Sequence, residues 1–471
     1  MSTFQNGTSS QQVVAERGAD DTVSVQDRPN RRSFLNGAGM AALAGAAGFR
    51  NAAEFQTKNA AAGKYDFDTP YKRVGTDCVK WDRQIRLYGQ HIVAGMGVAD
   101  MDFRCAPAIT KALAKRIQHE NWGYLDTPRS FPDAIVNWNK RRYGIDINPE
   151  LMLLTSGVHE GIISALRTFA PAGSKVLLLT PAYDGFYGDI AHVGCTPEEC
   201  LMKLEDGRYA IDFDNFERHI SSETKVLIFC NPHNPTGNCW SREDLTRIGV
   251  ICARRGVVVL ADEIHCDFVT RGQHYTPFST LDNKDVVRNS ITFKSASKSF
   301  GLSAMKCAWM FSENAEYITR VRANQRQDFN TLGMIASIAA YTESGDWLDQ
   351  LVPYIDDNHD FAESFIRSNI PLIKWVKAQA TYLAWLDVSG VVNKIGGKEM
   401  AAEASRGNTG RRPITPEMMV ERWLVNHAQV QINAGTNYGL GGANHMRMNL
   451  ATSRKTLELA LNNMANALQK G

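Results

Sequence analysis

Apolar residues recur along this chain in two rhythms. Continuous apolar runs at 151–154, 176–179, 226–229, 257–260 and 291–293 read as buried strands. Between them the spacing changes to three and four: Val158, Ile162, Leu166 and Phe169 fall on one helical face, and Leu245, Ile248 and Cys252 on another. Ser241, with Asp244 three residues on, completes a capping-box pattern that opens the second of these helices. Strand and helix alternate from 151 to about 311, which predicts an α/β fold: a largely parallel sheet with helices on both faces. Ahead of it, Ile109, Leu113 and Ile117 predict an amphipathic helix over 107–119, and another follows near 132–142. Trp122-Gly123-Tyr124 lies between the two as a loop, in its simplest reading a turn packed on the core. After 313 come long helical segments, a strand at 382–386, a polar insertion at 396–412 and a helix near 417–426. A half-alternating strand from His445 to Ala451 precedes a last helix with Leu457, Leu461, Met464 and Leu468 inward. No internal repeat is present, and this second half reads as a smaller α/β domain.

Residues 1–63 share neither rhythm. They are rich in Ala, Gly, Ser, Asn and Gln, and contain Arg31-Arg32-Ser33-Phe34-Leu35 followed by a weakly apolar run from Gly37 to Gly48. Paired arginines before such a run resemble a twin-arginine export signal; the alternative is a disordered N-terminal arm. The run is too short and glycine-rich to be a stable membrane anchor. The resemblance implies passage of the folded protein through the twin-arginine machinery into the periplasm, with the mature chain starting near Ala53 or Ala62.

Composition narrows the partners. In 471 residues, 52 basic side chains face 50 acidic ones, so there is no basic footprint for nucleic acid or a charged membrane. A small molecule is the expected partner. The nine cysteines show neither Cys-x-x-Cys nor zinc spacing with histidine, so no metal site or disulfide framework is expected. Cys230, Cys252 and Cys307 lie in apolar runs and read as buried thiols.

Candidate chemistry gathers just after the predicted strands. Asn231-Pro232-His233-Asn234-Pro235-Thr236-Gly237, Ala261-Asp262-Glu263-Ile264-His265 and Ser295-Ala296-Ser297-Lys298-Ser299-Phe300-Gly301 supply an amide, a carboxylate and an amine in that order. Alone, Lys298 would be an ordinary surface amine. In this company it suits a lysine that bonds an aldehyde cofactor, which needs an acid near a pyridinium nitrogen and donors for a phenolic oxygen and a phosphate. Thr155-Ser156-Gly157-Val158 opens a helix, and free N–H groups there make a seat for phosphate. Tyr183 is either core or an aromatic face for a flat ring. Arg447 sits between apolar neighbours in a strand and, if buried, needs an anionic partner; without context a structural salt bridge is the expectation.

The run NPxNPTG, then DEIH, then SASKSFG, then RMN resembles the pyridoxal-phosphate enzymes of the aspartate aminotransferase superfamily, fold type I, from about residue 65 to the C terminus. GTDCVKWD, VADMDF, WGY, DEIH and GGxxxMRMNLAxSR are most similar to its cystathionine β-lyase or C–S lyase group, which includes the maltose-regulon modulator. That resemblance implies a large cofactor-binding domain over 106–330 built on a mostly parallel seven-stranded sheet. It also implies an N-terminal arm over 64–105 joined to a small domain over 331–471. Lys298 would hold the cofactor and remove the substrate α-proton; Asp262 would face the ring nitrogen, Asn234 the phenolic oxygen with His265 nearby, and Tyr183 the ring face. Ser156, Gly157, Val158, Ser295 and Lys306 would surround the phosphate, Lys306 standing where many relatives carry arginine. Tyr124 would reach the phosphate of a neighbouring subunit, which makes the active unit a homodimer, and Arg447 would clamp the carboxylate of an amino-acid substrate.

Gly97, in place of an aromatic residue before VADMDF, is expected to widen the substrate pocket, and the 396–412 insertion has no counterpart in the group. The implied activity is a C–S β-lyase acting on S-substituted L-cysteines. The alternative is an aminotransferase, which Phe300-Gly301 suits equally, and a third reading is a regulatory binding protein.

Overall fold

The computed structural model describes residues 65–326, 328–406 and 413–470, so the twin-arginine stretch and the end of the 396–412 insertion lie outside the described residues. A seven-stranded sheet forms from β1 (Met152–Thr155), β2 (Lys175–Thr180), β3 (Thr196–Leu201), β4 (Thr224–Cys230), β5 (Val258–Asp262), β6 (Ser290–Lys294) and β7 (Ala308–Phe311). Their order is β1-β7-β6-β5-β4-β2-β3. β2 to β6 pair in parallel, and β7 runs antiparallel to both its neighbours. β5, β6 and β7 are buried along their whole length, which is why their sequences read as continuous apolar runs and not as alternation.

Two cores cover the two faces. Val226, Leu260, Ile291 and Phe293 pack with Ile162, Leu166 and Phe169 of the helix Val158–Phe169. Leu177, Leu227 and Val259 pack on the other side with Leu245, Ile248 and Cys252 of the helix Arg242–Arg255. Each such side chain contributes about 1.5–3 kcal/mol by leaving water. Ser241 caps the second helix by accepting from the Asp244 N–H at 3.0 Å, and the Asp244 carboxylate accepts from the Ser241 N–H at 3.3 Å. Gly256, at φ +69°, closes that helix in a left-handed turn.

Sheet order matters for function. β4, β5 and β6 are adjacent and parallel, so the NPHNPTG loop, Asp262 and the SASKSFG turn emerge side by side at their carboxyl ends. A second, antiparallel sheet of three strands, β8 (Leu383–Asp387), β9 (Asn433–Ala434) and β10 (His445–Asn449), has the order β8-β10-β9. Met446 and Met448 of β10 enter a core with Leu386, Leu457, Leu461, Met464 and Leu468, and alternation sends Arg447 to the opposite face.

Three expectations change. The first amphipathic helix ends at Ile117, which is 55% exposed, so its apolar stripe stops at Ile109 and Leu113. Trp122-Gly123-Tyr124 does not pack on the core: Trp122 lies under the Arg116 guanidinium and Tyr124 is fully exposed. The polar insertion begins as a helix, Gly397–Ser405, with Gly397 and Ala401 buried. Gly397 and Ala401 give this polar stretch an inner face.

Candidate active site

A pocket opens where β4, β5 and β6 end against the N terminus of the helix Val158–Phe169. Ser156, Gly157, Val158, Tyr183, Asn234, Asp262, His265, Ser295, Lys298 and Lys306 all line it. That helix opens directly after Ser156 and Gly157, so its N-terminal end meets the pocket edge formed by Ser156, Gly157 and Val158, where the Glu160 carboxylate also lies. Lys306 stands nearby with its ammonium 3.7 Å from the Glu160 carboxylate.

Asp262 is 4% exposed, and its carboxylate accepts from the Ile264 N–H at 3.1 Å. Burial pushes its pKa up to about 6, against that hydrogen bond and the charges of His159 and Lys298. Such a carboxylate gains from a cationic N–H in the pocket, which is what a pyridinium ring offers. Lys298 donates to the Ala99 carbonyl at 2.9 Å, and loss of surrounding water lowers its pKa. His265 is held neutral, its pKa driven well below the usual value by burial, with Lys298 and Arg447 acting in the same direction. Its Nδ1 has no hydrogen-bond partner among the described residues.

Arg447 is 3% exposed, and the expected salt bridge is not what holds it. It donates to Asn234 Oδ1 at 3.1 Å and to the Gly97 carbonyl at 2.9 Å, both neutral acceptors. Its Nε has no partner among the described residues, and its guanidinium lies over the Tyr438 ring, 5.0 Å from the centroid. A buried guanidinium with a spare N–H and only neutral acceptors is ready for a carboxylate.

The VADMDF segment ties these groups together. Ala99 receives Lys298 and also the Tyr382 hydroxyl at 3.2 Å, while Asn449 of β10 donates to the Val98 and Asp100 carbonyls, each at 2.7 Å. Asp102 is buried against Lys80 at 2.6 Å and accepts from the Trp81 indole at 3.0 Å; Arg73 pairs with Asp100 at 2.7 Å. GTDCVKWD therefore anchors VADMDF; VADMDF carries the Ala99 carbonyl that holds Lys298, and Gly97 just before it carries the one that holds Arg447.

Gly97 does not widen the pocket as expected. A Cβ there would fall 2.1 Å from Asn433 Oδ1 and 2.7 Å from the Gln431 amide, so amide side chains already fill that space. Ser295 lines the pocket, but its hydroxyl donates to the Cys307 carbonyl at 2.7 Å and so is not free to donate to a phosphate in this arrangement. Tyr124 lies outside the pocket, beside Trp122 and Phe329. Sequence reasoning passed over other lining residues: His159, Phe186, Cys230, Ser297 and Cys307. Ser297 stood inside the SASKSFG motif and His159 directly after the Thr155-Ser156-Gly157-Val158 turn, and both were findable; Phe186 followed Tyr183 by three residues and carried no signal of its own.

The family described as aminotransferase class I and II matches residues 91–464. Cystathionine beta-lyase PatB of Bacillus subtilis is 33% identical over 408 residues, covering 86% of this chain and all (100%) of that protein. Protein MalY of Escherichia coli is 28% identical, over 86% of this chain and 99% of its own. Among solved structures, cystalysin from Treponema denticola, which contains a pyridoxal 5'-phosphate cofactor, superposes with a TM-score of 0.77 at 28% identity, over 86% of this chain and 99% of that one. The pyridoxal-phosphate-bound C–S lyase from Staphylococcus hominis gives 0.76 at 26% identity, over 86% and 100%. Fold, pocket and relatives agree: the chain belongs to the pyridoxal-phosphate-dependent aminotransferase class I and II superfamily, fold type I, close to its cystathionine β-lyase and MalY group.

Proposed function

We propose that this chain is a pyridoxal-phosphate-dependent C–S β-lyase that cleaves S-substituted L-cysteines to a thiol, pyruvate and ammonia. The observation that carries the reading is Arg447, buried with a spare N–H and, among the described residues, no carboxylate partner, and hydrogen-bonded to Asn234, which lines the pocket with Lys298 and Asp262. Relatives named as cystathionine β-lyases and C–S lyases support elimination as the reaction.

Bound pyridoxal phosphate supplies an electron-accepting ring that stabilises negative charge at the substrate α-carbon. The chain's residues do the rest. The helix N terminus and Lys306 would hold the phosphate, Asp262 the ring N–H, Asn234 the phenolic oxygen and Tyr183 the ring face, with Lys298 bonded to the cofactor until substrate replaces it. Arg447 fixes the substrate carboxylate and with it which bond at the α-carbon is labile. Lys298, its pKa lowered by burial, then takes the α-proton as a neutral amine. The C–S bond breaks with its electron pair on sulfur, which leaves as thiolate and is protonated. Water hydrolyses the released three-carbon enamine to pyruvate and ammonia. The test is a single-turnover spectrum of the purified enzyme with L-cystathionine, followed by assays of thiol, pyruvate and keto acid. Thiol and pyruvate in equal amounts, with the visible band restored, are expected. A band that bleaches and returns only on adding a keto acid would make the enzyme an aminotransferase instead.

Two further parts of the reading concern assembly and place. We infer a homodimer in which Tyr124 of each subunit reaches the phosphate of the other; the full exposure of Tyr124 and the exposed Ile117 and Trp122 nearby support it. The Arg31-Arg32 signal supports export of the folded enzyme to the periplasm. A reporter fused to residues 1–63 should be exported, and no longer so with both arginines changed to lysine; retention of the intact fusion in the cytoplasm would favour the regulatory reading.

A further inference from the structure

Two titratable side chains at the pocket wall have no part in the chemistry above. His159 follows the phosphate-seat residue Val158 and lines the pocket with Tyr183 and Asp262. Asp189 lies on the helix Asp184–His192 and is 6% exposed. Nδ1 of His159 is 2.7 Å from Asp189 Oδ2, and Nε2 faces the Tyr183 hydroxyl at 3.4 Å. A carboxylate on Nδ1 keeps that nitrogen protonated and fixes the ring orientation, as it does for histidines that must present their other nitrogen to a site.

The surrounding sequence makes room for this arrangement. A Cβ on Gly185 would lie 2.5 Å from His159 Cε1 and 2.6 Å from Tyr183 Cε1, so only glycine lets the two rings meet there. Phe186 closes the other side of Tyr183, edge-on at 5.4 Å. The hydrogen bond from Asp189 raises the pKa of His159 against burial, and the charges of Asp262 and Glu160 act with it. Asp189, on its own helix, has His192 as a further charged neighbour. The charges of His159 and Lys298 both oppose the rise at Asp262.

We propose that Asp189 and His159 form a positioning pair: Asp189 orients His159, and His159 steadies the Tyr183 ring and carries positive charge on the pocket wall that it shares with Asp262. The pair rests on the cofactor reading given above. It touches neither substrate nor reacting atoms and acts through Tyr183 and Asp262. Its removal should therefore be visible before any turnover.

The experiment uses the full-length enzyme stripped of cofactor and titrated with pyridoxal phosphate, and the reloaded enzyme titrated with pH while its visible band is recorded. His159→Phe should weaken pyridoxal phosphate binding by about tenfold or more, the loss of a charge-assisted contact. The midpoint of the visible band's pH titration should rise by about half a pH unit, because a nearby positive charge no longer opposes protonation. Asp189→Asn should move both in the same direction by less. His159→Gln, which can still donate to Tyr183, should regain affinity but leave the midpoint displaced. A folded His159→Phe protein with unchanged affinity and midpoint would overturn the proposal. If that variant does not fold, an unchanged Asp189→Asn protein overturns it equally. Wild-type protein that takes up no pyridoxal phosphate would sink the cofactor reading instead; wild-type that binds it, matched by its variants, sinks only the positioning pair.

Discussion

Asp262 and Glu263 are neighbours in sequence, both buried, and they face opposite sides of the sheet. Glu263 is satisfied: it accepts from the Phe278 N–H at 2.7 Å and from the Tyr275 hydroxyl, and Lys294 lies 3.8 Å away. Lys294 in turn sits 4.0 Å over the Tyr143 ring and donates to the Tyr275 hydroxyl at 3.4 Å. Asp262 has one backbone N–H, and its lysine, Lys298, is occupied with the Ala99 carbonyl. Burial raises the pKa of both acids. On one face the chain supplies the compensation; on the other it leaves compensation to a ligand. Two acid–lysine sets thus form at the carboxyl ends of adjacent strands, one satisfied within the fold and one left open to the pocket. An under-satisfied buried charge is costly in the free protein and is kept where binding repays it.

The contrast is sharpest at the lysines. Lys298→Ala should abolish the visible cofactor band and lower kcat by about 10⁴-fold, the loss of a general base together with a covalent anchor, while the melting temperature hardly moves. Absorbance, steady-state assay and calorimetry on one preparation measure all three; a retained visible band would break the assignment of Lys298.

Glu263→Gln should do the reverse. It keeps the shape but leaves Lys294 an uncompensated buried charge, so the fold should lose about 3 kcal/mol. Denaturant unfolding would detect this, and a loss below about 1 kcal/mol would mean that Tyr275 and Tyr143 suffice for Lys294.

The smallest expected effect carries the opposite sign. With its pKa raised from 3.8 to about 6, Asp262 makes the cofactor-free fold bind more protons than the unfolded chain between those values. Its contribution to stability is therefore fully present below the unfolded value and lost as pH rises through the folded one. Asp262→Asn should make cofactor-free protein more stable at pH 8 by at most about 3 kcal/mol, and no more stable near pH 3. Equal denaturation midpoints at both pH values would show that Asp262 is already satisfied without a ligand.

Much of the site was legible because the chemistry follows short apolar runs. A strand buried on both faces must read as such a run, and a polar residue just past it lies at the sheet edge where ligands bind, so Asn234, Asp262 and Lys298 could be named in advance. Arg447 was legible as an anomaly, a charge between methionines. Gly97 was misread, because the residues that fill its space, Gln431 and Asn433, are more than 300 positions away in sequence. Ser295 lines the pocket, yet its hydroxyl is engaged by a carbonyl that no local pattern announces.

By itself the sequence determined the elements, their alternation and the residue types at the strand ends, since these depend on periodicity over a few positions. Only the tertiary structure decided which charges meet. Lys298 donates to a carbonyl 199 positions earlier, Arg447 to one 350 positions earlier, and His159 pairs across 30 positions to another helix. Such contacts follow from strand order and from how the second sheet's Arg447 meets Asn234. Periodicity records the face a residue takes but not what lies opposite it, and what lies opposite determines whether a buried charge is structural or functional.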